Sequence, residues 1–290
     1  MKAYTYSAQE LGLQALPQGL LRLTGAEAVS DPRQADVFVV PVMMMHVGME
    51  ALQRLPYLHQ YPERHVLMNI GEWMGQALGL PAIMFRCDTT QTLLARDPTA
   101  LAWPWPVEDL GAWADRPFAR DVTFQGWVST GLTDTVCDAV LATPSLTTHI
   151  QRHKFFYGYE DESQPSTQAL RRTFLETLAS SRLSLVARSI PEGVVRYRFY
   201  EALSMGRIPV HFCDGRVLPF ADRIDYDVCS VHIPEADAPR AGEVIAAWLA
   251  DRSDAEIRER GAYGRAMWAR WLDSRKWPEL MAEVVKEKLA

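Results

Sequence analysis

The chain has 290 residues, enough for two compact domains that each bury a core of their own. Apolar residues make up 48% of it, yet no run reaches the roughly eighteen that a spanning helix needs, and the amino end MKAYTYSAQE lacks the charged start and apolar stretch of a secretory signal, so a cytoplasmic protein with at most peripheral membrane contact is expected. A net charge of −6 argues against general nucleic-acid or anionic-membrane binding, and the four cysteines, Cys87, Cys137, Cys213 and Cys229, have no CxxC spacing and read as reduced, buried thiols rather than disulfides or zinc ligands.

Short apolar runs at residues 2–6, 37–42, 65–70, 82–86 and 101–103 read as parallel strands, spaced by segments such as 47–55 and 75–80 that suit helices. Alternation of this kind is the mark of an α/β domain. LAWPWPVEDLGAWADRPF follows, rich in turn residues and tryptophan, and reads as a connection between domains. Trp103, Trp105 and Trp113 there either line a sugar or pad an interface, and padding is the commoner use of such rings. Residues 122–127 read as the first strand of a second domain and 133–141 as its helix. Between them GWVSTG is a weak candidate for a phosphate or sugar loop, with Gly126, Ser129 and Thr130 offering small side chains and accessible amides. Residues 168–178 suit a helix, 183–187 a strand covered on both faces, 194–205 a helix of about three turns ending at Gly206, and 207–212 the next parallel strand. Helical patterns at 241–249, 254–272 and 277–289 close the chain.

The chemistry concentrates in the βαβ unit at 183–212. Arg188 follows its first strand directly, while Arg196 and Arg198 open the helix, where a cation works against the helix dipole unless it serves an anion or a carboxylate. Three guanidinium groups near a helix N-terminus suit a diphosphate. Glu201, three residues after Arg198, shares its face and could accept hydrogen bonds from the two hydroxyls of a ribose. The plainer alternative is an Arg198–Glu201 surface salt bridge on an amphipathic helix.

RFYEALSMGRIPV followed by DGRVLPFADRIDYDVCSVHI resembles the nucleotide-sugar-binding signature of the exostosin-like glycosyltransferases, glycosyltransferase family 47. Arg198, Glu201, Ala202, Gly206, Ile208, Pro209, Val210, Leu218, Pro219, Phe220 and Asp225 stand where the family pattern puts them; Arg196 replaces the small residue usual there. QADVFVVPV, HVLMNIGEW, AIMFRCD and VTFQGW resemble further strands of the family. The resemblance implies the GT-B fold, two Rossmann-like α/β domains whose parallel sheets face across a cleft. The first is expected over 1–112, with the helix at 275–290 packing back on it, and the second, which binds the donor, over 113–274.

The implied reaction moves a sugar from a nucleotide diphosphate donor, a UDP-sugar being the first expectation, to a hydroxyl of a glycan or other acceptor, with inversion and without a metal or other cofactor. Asp225 and Asp227 have the spacing of an Asp-x-Asp metal motif but fall in the Leu-Pro-Phe turn region, so they read as structural. Inversion needs a base near the acceptor. Three strand-end residues of the first domain are candidates: Glu72 after HVLMNIG, which is preferred, Asp88 after AIMFRC, and His46 after PVMMM. Glu72 could instead complement a helix dipole, Asp88 could cap the helix suggested by DTTQTLL, and His46 could be a hydrogen-bonded core histidine. Two other classes stay open: a catalytically silent GT-B protein that binds a glycan or partner, and an epimerase or phosphorylase of two related domains. No GxGxxG follows the first strand, which sets a dinucleotide oxidoreductase aside.

Overall fold

A computed structural model describes residues 1–16, 21–43, 47–71, 77–128, 130–153, 164–188 and 194–290. The chain divides into two compact units. Unit 1 comprises Met1–Trp105, Gly215–Phe220 and Ser274–Ala290, and unit 2 comprises Pro106–Asp214 and Ala221–Asp273. Residues 106–112, read from the sequence with the first domain, lie in unit 2, where Leu110 packs against Phe174, Leu178, Ala202 and Met205.

Unit 1 holds a sheet of six parallel strands in the order β2-β1-β3-β4-β5-β6, formed by Lys2–Thr5 (β1), Glu27–Ala28 (β2), Val37–Met43 (β3), His65–Asn69 (β4), Ile83–Arg86 (β5) and Ala100–Ala102 (β6). Every residue of β4 and β5 is buried, as expected of parallel strands covered on both faces. The helix expected over 47–55 is Met49–Gln53, and the described part of the one expected over 75–80 is not helical. The helix Trp277–Leu289 buries Leu280, Met281 and Val285, and Thr24 N donates to Pro278 O at 3.0 Å, which joins the end of the chain to this unit.

Unit 2 holds five parallel strands in the order β11-β10-β9-β7-β8: Arg120–Trp127 (β7), Thr148–His153 (β8), Ser181–Ala187 (β9), Ile208–Phe212 (β10) and Val231–His232 (β11). From β7 the chain first steps outward to β8, then crosses back over β7 to β9 and continues to β10 and β11. Because parallel crossovers are right-handed, that reversal puts the helix Gly131–Leu141 on one face and the helices Pro165–Ala179 and Tyr197–Ser204 on the other. Packing agrees. Val136, Cys137 and Val140 share a core with Ala241 and Ile245 of the helix Ala241–Ala250, while Phe174 and Leu178 meet Ala202 and Met205. β8 had no counterpart in the sequence reading, because THIQRH is an edge strand whose residues are all half-buried and carries no apolar run. The helix Asp254–Met267 starts in a capping box, Ser253 and Glu256 each satisfying the other's backbone N–H, and no helix among the described residues is long and apolar enough to cross a membrane.

His65 begins β4 with its ring fully buried, stacked on Phe38 at 4.9 Å. Its Nδ1 donates to Tyr61 O at 2.8 Å, which leaves Nε2 to accept from the Tyr6 hydroxyl at 2.8 Å. Burial pushes its pKa down from 6.5 to about 4. Between those values the unfolded chain binds a proton that the folded one refuses. The contribution is therefore complete above about pH 6.5 and is lost as pH falls toward 4, amounting to about 3 kcal/mol. Urea unfolding of the wild type and of His65→Phe between pH 4 and 7 should show this slope in the wild type alone; equal slopes would rule His65 out as its source.

Candidate functional site

In an open parallel sheet, ligands bind beyond the carboxyl ends of the strands where the strand order reverses, which in unit 2 is the crevice between β7 and β9. A small recess lies there, lined by Gly126 and Trp127 from the end of β7, Ala187 from the end of β9, and Arg196, Tyr197 and Arg198 from the start of the following helix. A larger cleft of about 910 Å³ adjoins it. Its walls are residues 106–108 and Trp113, one face of the helix Pro165–Ala179 from Thr167 to Glu176, and Tyr197, Arg198 and Glu201. Arg198 and Tyr197 border both spaces.

Glu201 is the pivot of the cleft. It is only 3% exposed, and a carboxylate so enclosed must be paired. Arg198 Nη1 donates to its Oε2 at 2.8 Å and Arg171 Nη1 to its Oε1 at 2.5 Å. Arg171 also donates to Glu108, and the Arg198 guanidinium lies 3.6 Å from the centroid of the Phe174 ring, a close cation–π contact. The Arg198–Glu201 pair is thus no surface salt bridge. With two guanidinium donors bound, the carboxylate still has lone pairs for hydroxyl donors. Burial first, and then the charge of Arg198, hold His153 below its ordinary pKa.

The helix expected from residue 194 is Tyr197–Ser204, because Val194 and Val195 are buried ahead of it and Arg196 is extended (φ −75°, ψ 156°) as its N-cap. Both Arg196 and Arg198 therefore stand at the helix N-terminus, and Arg196 Nη1 donates to Trp127 O at 3.4 Å. Arg188, expected beside them, turns instead to Glu235, its Nε donating to Oε1 at 2.9 Å and Oε2 at 2.8 Å, and Glu235 N donates in turn to Asp214. Of the loop candidates, Gly126 lies within β7 opposite Arg152 and borders the recess, Thr130 is a helix N-cap accepting from Thr133 N, and Ser129 lies outside the described residues. Arg171, Glu108 and Phe174 were missed by the sequence reading. Their one signal is that Arg171 and Phe174 stand three apart on one helix and so share a face. Of the three tryptophans, Trp103 is 2% exposed and packed on Phe85 and Phe220, while Trp113 borders the cleft.

In unit 1, Glu72 and His46 lie outside the described residues. Asp88 is wholly buried; Arg86 Nε and Nη2 donate to its two oxygens at 2.8 Å each, and Asn69 Nδ2 donates to Oδ1 at 3.2 Å. The helix cap is not Asp88 but Thr90, whose hydroxyl accepts from Leu93 N at 3.1 Å. Asp225 N-caps the helix Tyr226–Cys229, accepting from Asp227 N at 3.1 Å. Among the described residues no group of three or more His, Cys, Asp or Glu side chains is placed to hold a metal ion.

Residues 122–248, from β7 to the helix Ala241–Ala250, match the family model of the Exostosin GT47 domain. No curated protein matches the sequence. Among solved structures, Anabaena Alr3699/HepE in complex with UDP is 12% identical, with 88% of this chain and 79% of that one covered at a TM-score of 0.52. A glycosyltransferase from Rickettsia africae ESF-5 is 10% identical, with 91% of this chain and 85% of that one covered, also at 0.52. These likenesses establish the fold as GT-B.

The geometry of Asp88 distinguishes an anchor from a base. Removing its charge strands the buried Arg86 guanidinium, so Asp88→Asn should lower unfolding free energy by about 3–5 kcal/mol in a denaturant titration. A variant of unchanged stability that fails only in turnover would return Asp88 to the role of base.

Proposed function

We propose that this glycosyltransferase, which carries its exostosin family 47 domain over residues 122–248, binds a UDP-sugar in unit 2 and passes the sugar to a hydroxyl of a glycan, with inversion and without a metal ion. The observation that carries the reading is Glu201, a buried carboxylate fixed by two guanidinium groups in the wall of a cleft of about 910 Å³ that adjoins the recess at the reversal of the sheet. The ribose hydroxyls donate to Glu201. The diphosphate lies against Arg196, Arg198 and the N-terminus of the helix Tyr197–Ser204, where fixed positive charge stabilises the negative charge that builds up as the sugar leaves. The UDP held by the structurally similar Anabaena protein supports the choice of base.

Inversion in one displacement requires that the acceptor hydroxyl lose its proton as it attacks. Glu72, three residues beyond the end of β4, is proposed as the base, with His46 the next candidate.

Calorimetric titration with UDP tests donor binding. Glu201→Ala should weaken it by about 1–3 kcal/mol, and Glu201→Gln, which keeps the volume, should lie between the two. Undiminished affinity in folded variants would falsify the assignment. Transfer should continue in excess chelator, and inverted product should appear in its anomeric proton signals; activity abolished by chelator and restored by manganese or magnesium would overturn the electrostatics proposed. Glu72→Gln should lower turnover about a hundredfold while leaving UDP affinity in place. Normal turnover in that variant moves the role to His46.

A further inference from the structure

The two arginines that hold Glu201 are not equivalent. Arg198 lies three residues earlier on the same helix, so its bond to Oε2 fixes the carboxylate only against its own backbone. Arg171 comes from the helix Pro165–Ala179 and donates through Nη1 to the other oxygen, Oε1. Its second amino group, Nη2, donates to Glu108 in the wall of the cleft, and its Cζ lies 5.3 Å from the centroid of the Phe174 ring. One guanidinium thus ties Glu201 to a second helix and to residues 106–108. Only a planar fork can meet two carboxylates in this way.

Charge limits what Arg171 does there. The cluster sets two guanidinium groups, Arg171 and Arg198, against two carboxylates, Glu108 and Glu201, and each amino group of Arg171 already meets a carboxylate. Little of its charge remains for a diphosphate. The lone pairs left on Glu201 point where the carboxylate is turned, and the bond to Oε1 sets that turn. We infer that Arg171 is the positioning residue that makes the donor site selective for ribose, acting through Glu201 and not on the nucleotide. The inference rests on the donor-site reading above and adds the residue that gives its ribose contact its selectivity. A sugar without hydroxyls in the same place would leave acceptors of a buried carboxylate unmet, and sites built to bind a hydroxyl reject such analogues strongly.

The experiment sets UDP against 2′,3′-dideoxyuridine diphosphate, which lacks both hydroxyls. Both are titrated by calorimetry into the wild type, Arg171→Gln, Glu201→Gln and the double variant Arg171→Gln/Glu201→Gln, with thermal melts as the check of folding. The wild type should bind UDP about tenfold or more tightly than the dideoxy compound. Arg171→Gln should lose about five- to tenfold in UDP affinity yet stay within about twofold for the dideoxy compound, so that the preference collapses. A merely structural role would weaken both ligands alike. In the Glu201→Gln background the same substitution should change UDP affinity less than about twofold, because the residue it acts through is already altered. The double variant also removes the half-paired buried carboxylate that Arg171→Gln leaves, so it reports even where that single variant melts too low to titrate. Equal losses for the two ligands, a further loss of UDP affinity in the double variant, or unchanged UDP affinity in folded Arg171→Gln would each overturn the inference. A wild type that does not bind UDP, or binds both compounds alike, overturns the donor-site reading and this inference with it, a result seen before any variant is compared.

Discussion

A carboxylate cannot be buried without compensation, and the pairing of Glu201 organises the side of unit 2 that carries the cleft. Its partners come from two helices: Arg198 from its own first turn, and Arg171 from the helix Pro165–Ala179. Meeting both requires the two helices to lie side by side, which their shared core of Phe174, Leu178, Ala202 and Met205 also enforces. Arg171 then extends the network to Glu108, so that residues 106–108 close one wall of the cleft. The cleft is a consequence of satisfying one charge.

The same unit also holds a buried cation. Arg207, 3% exposed, donates to the carbonyl oxygens of Ala179, Ala114, Arg116 and Gly206, and burial, reinforced by the nearby charge of Arg258, lowers its pKa to about 10. It secures the end of one helix, the start of β10 and the connection that enters the unit. Gly206 precedes it at φ +70°, and a Cβ on Gly261 would stand 2.3 Å from the Gly206 carbonyl oxygen. The helix Asp254–Met267 therefore seats directly on that turn, a contact that no larger side chain allows.

The legible parts of this chain are those whose causes are local. Continuous apolar runs such as HVLMN, IMFR and SLVA were read as strands because a parallel strand buried on both faces needs no polar alternation. Arg198 and Glu201 could be paired because three residues of helix bring them together. Arg171 lies thirty residues before Glu201, and Arg188 finds Glu235 forty-seven residues later, so neither partner could be read from spacing. β8 stayed hidden because an edge strand with every residue half-buried resembles a loop in composition. The start of the helix Tyr197–Ser204 is hidden for a related reason: Val194 and Val195 are buried but lie outside the helix, and burial by itself does not reveal backbone conformation.

What distinguishes the site physically is that its cations are held before any ligand arrives. Arg198 is constrained on two sides at once, its edge donating to Glu201 while its face covers Phe174, and only a planar guanidinium can do both. A lysine would keep the charge and lose the orientation. Holding the group in this way costs stability when the protein folds, since charge must be desolvated, and it leaves a fixed positive charge that needs little reorganisation to meet an anion. Arg188 shows the complementary choice. Paired with Glu235 and outside the lining of the recess, it ties the end of β9 to the chain just after β11, and the arginines that line the recess are Arg196 and Arg198. Two of three arginines close in sequence are thus separated by the carboxylates that reach them, Glu235 for Arg188 and Glu201 for Arg198, while Arg196 donates to the carbonyl of Trp127.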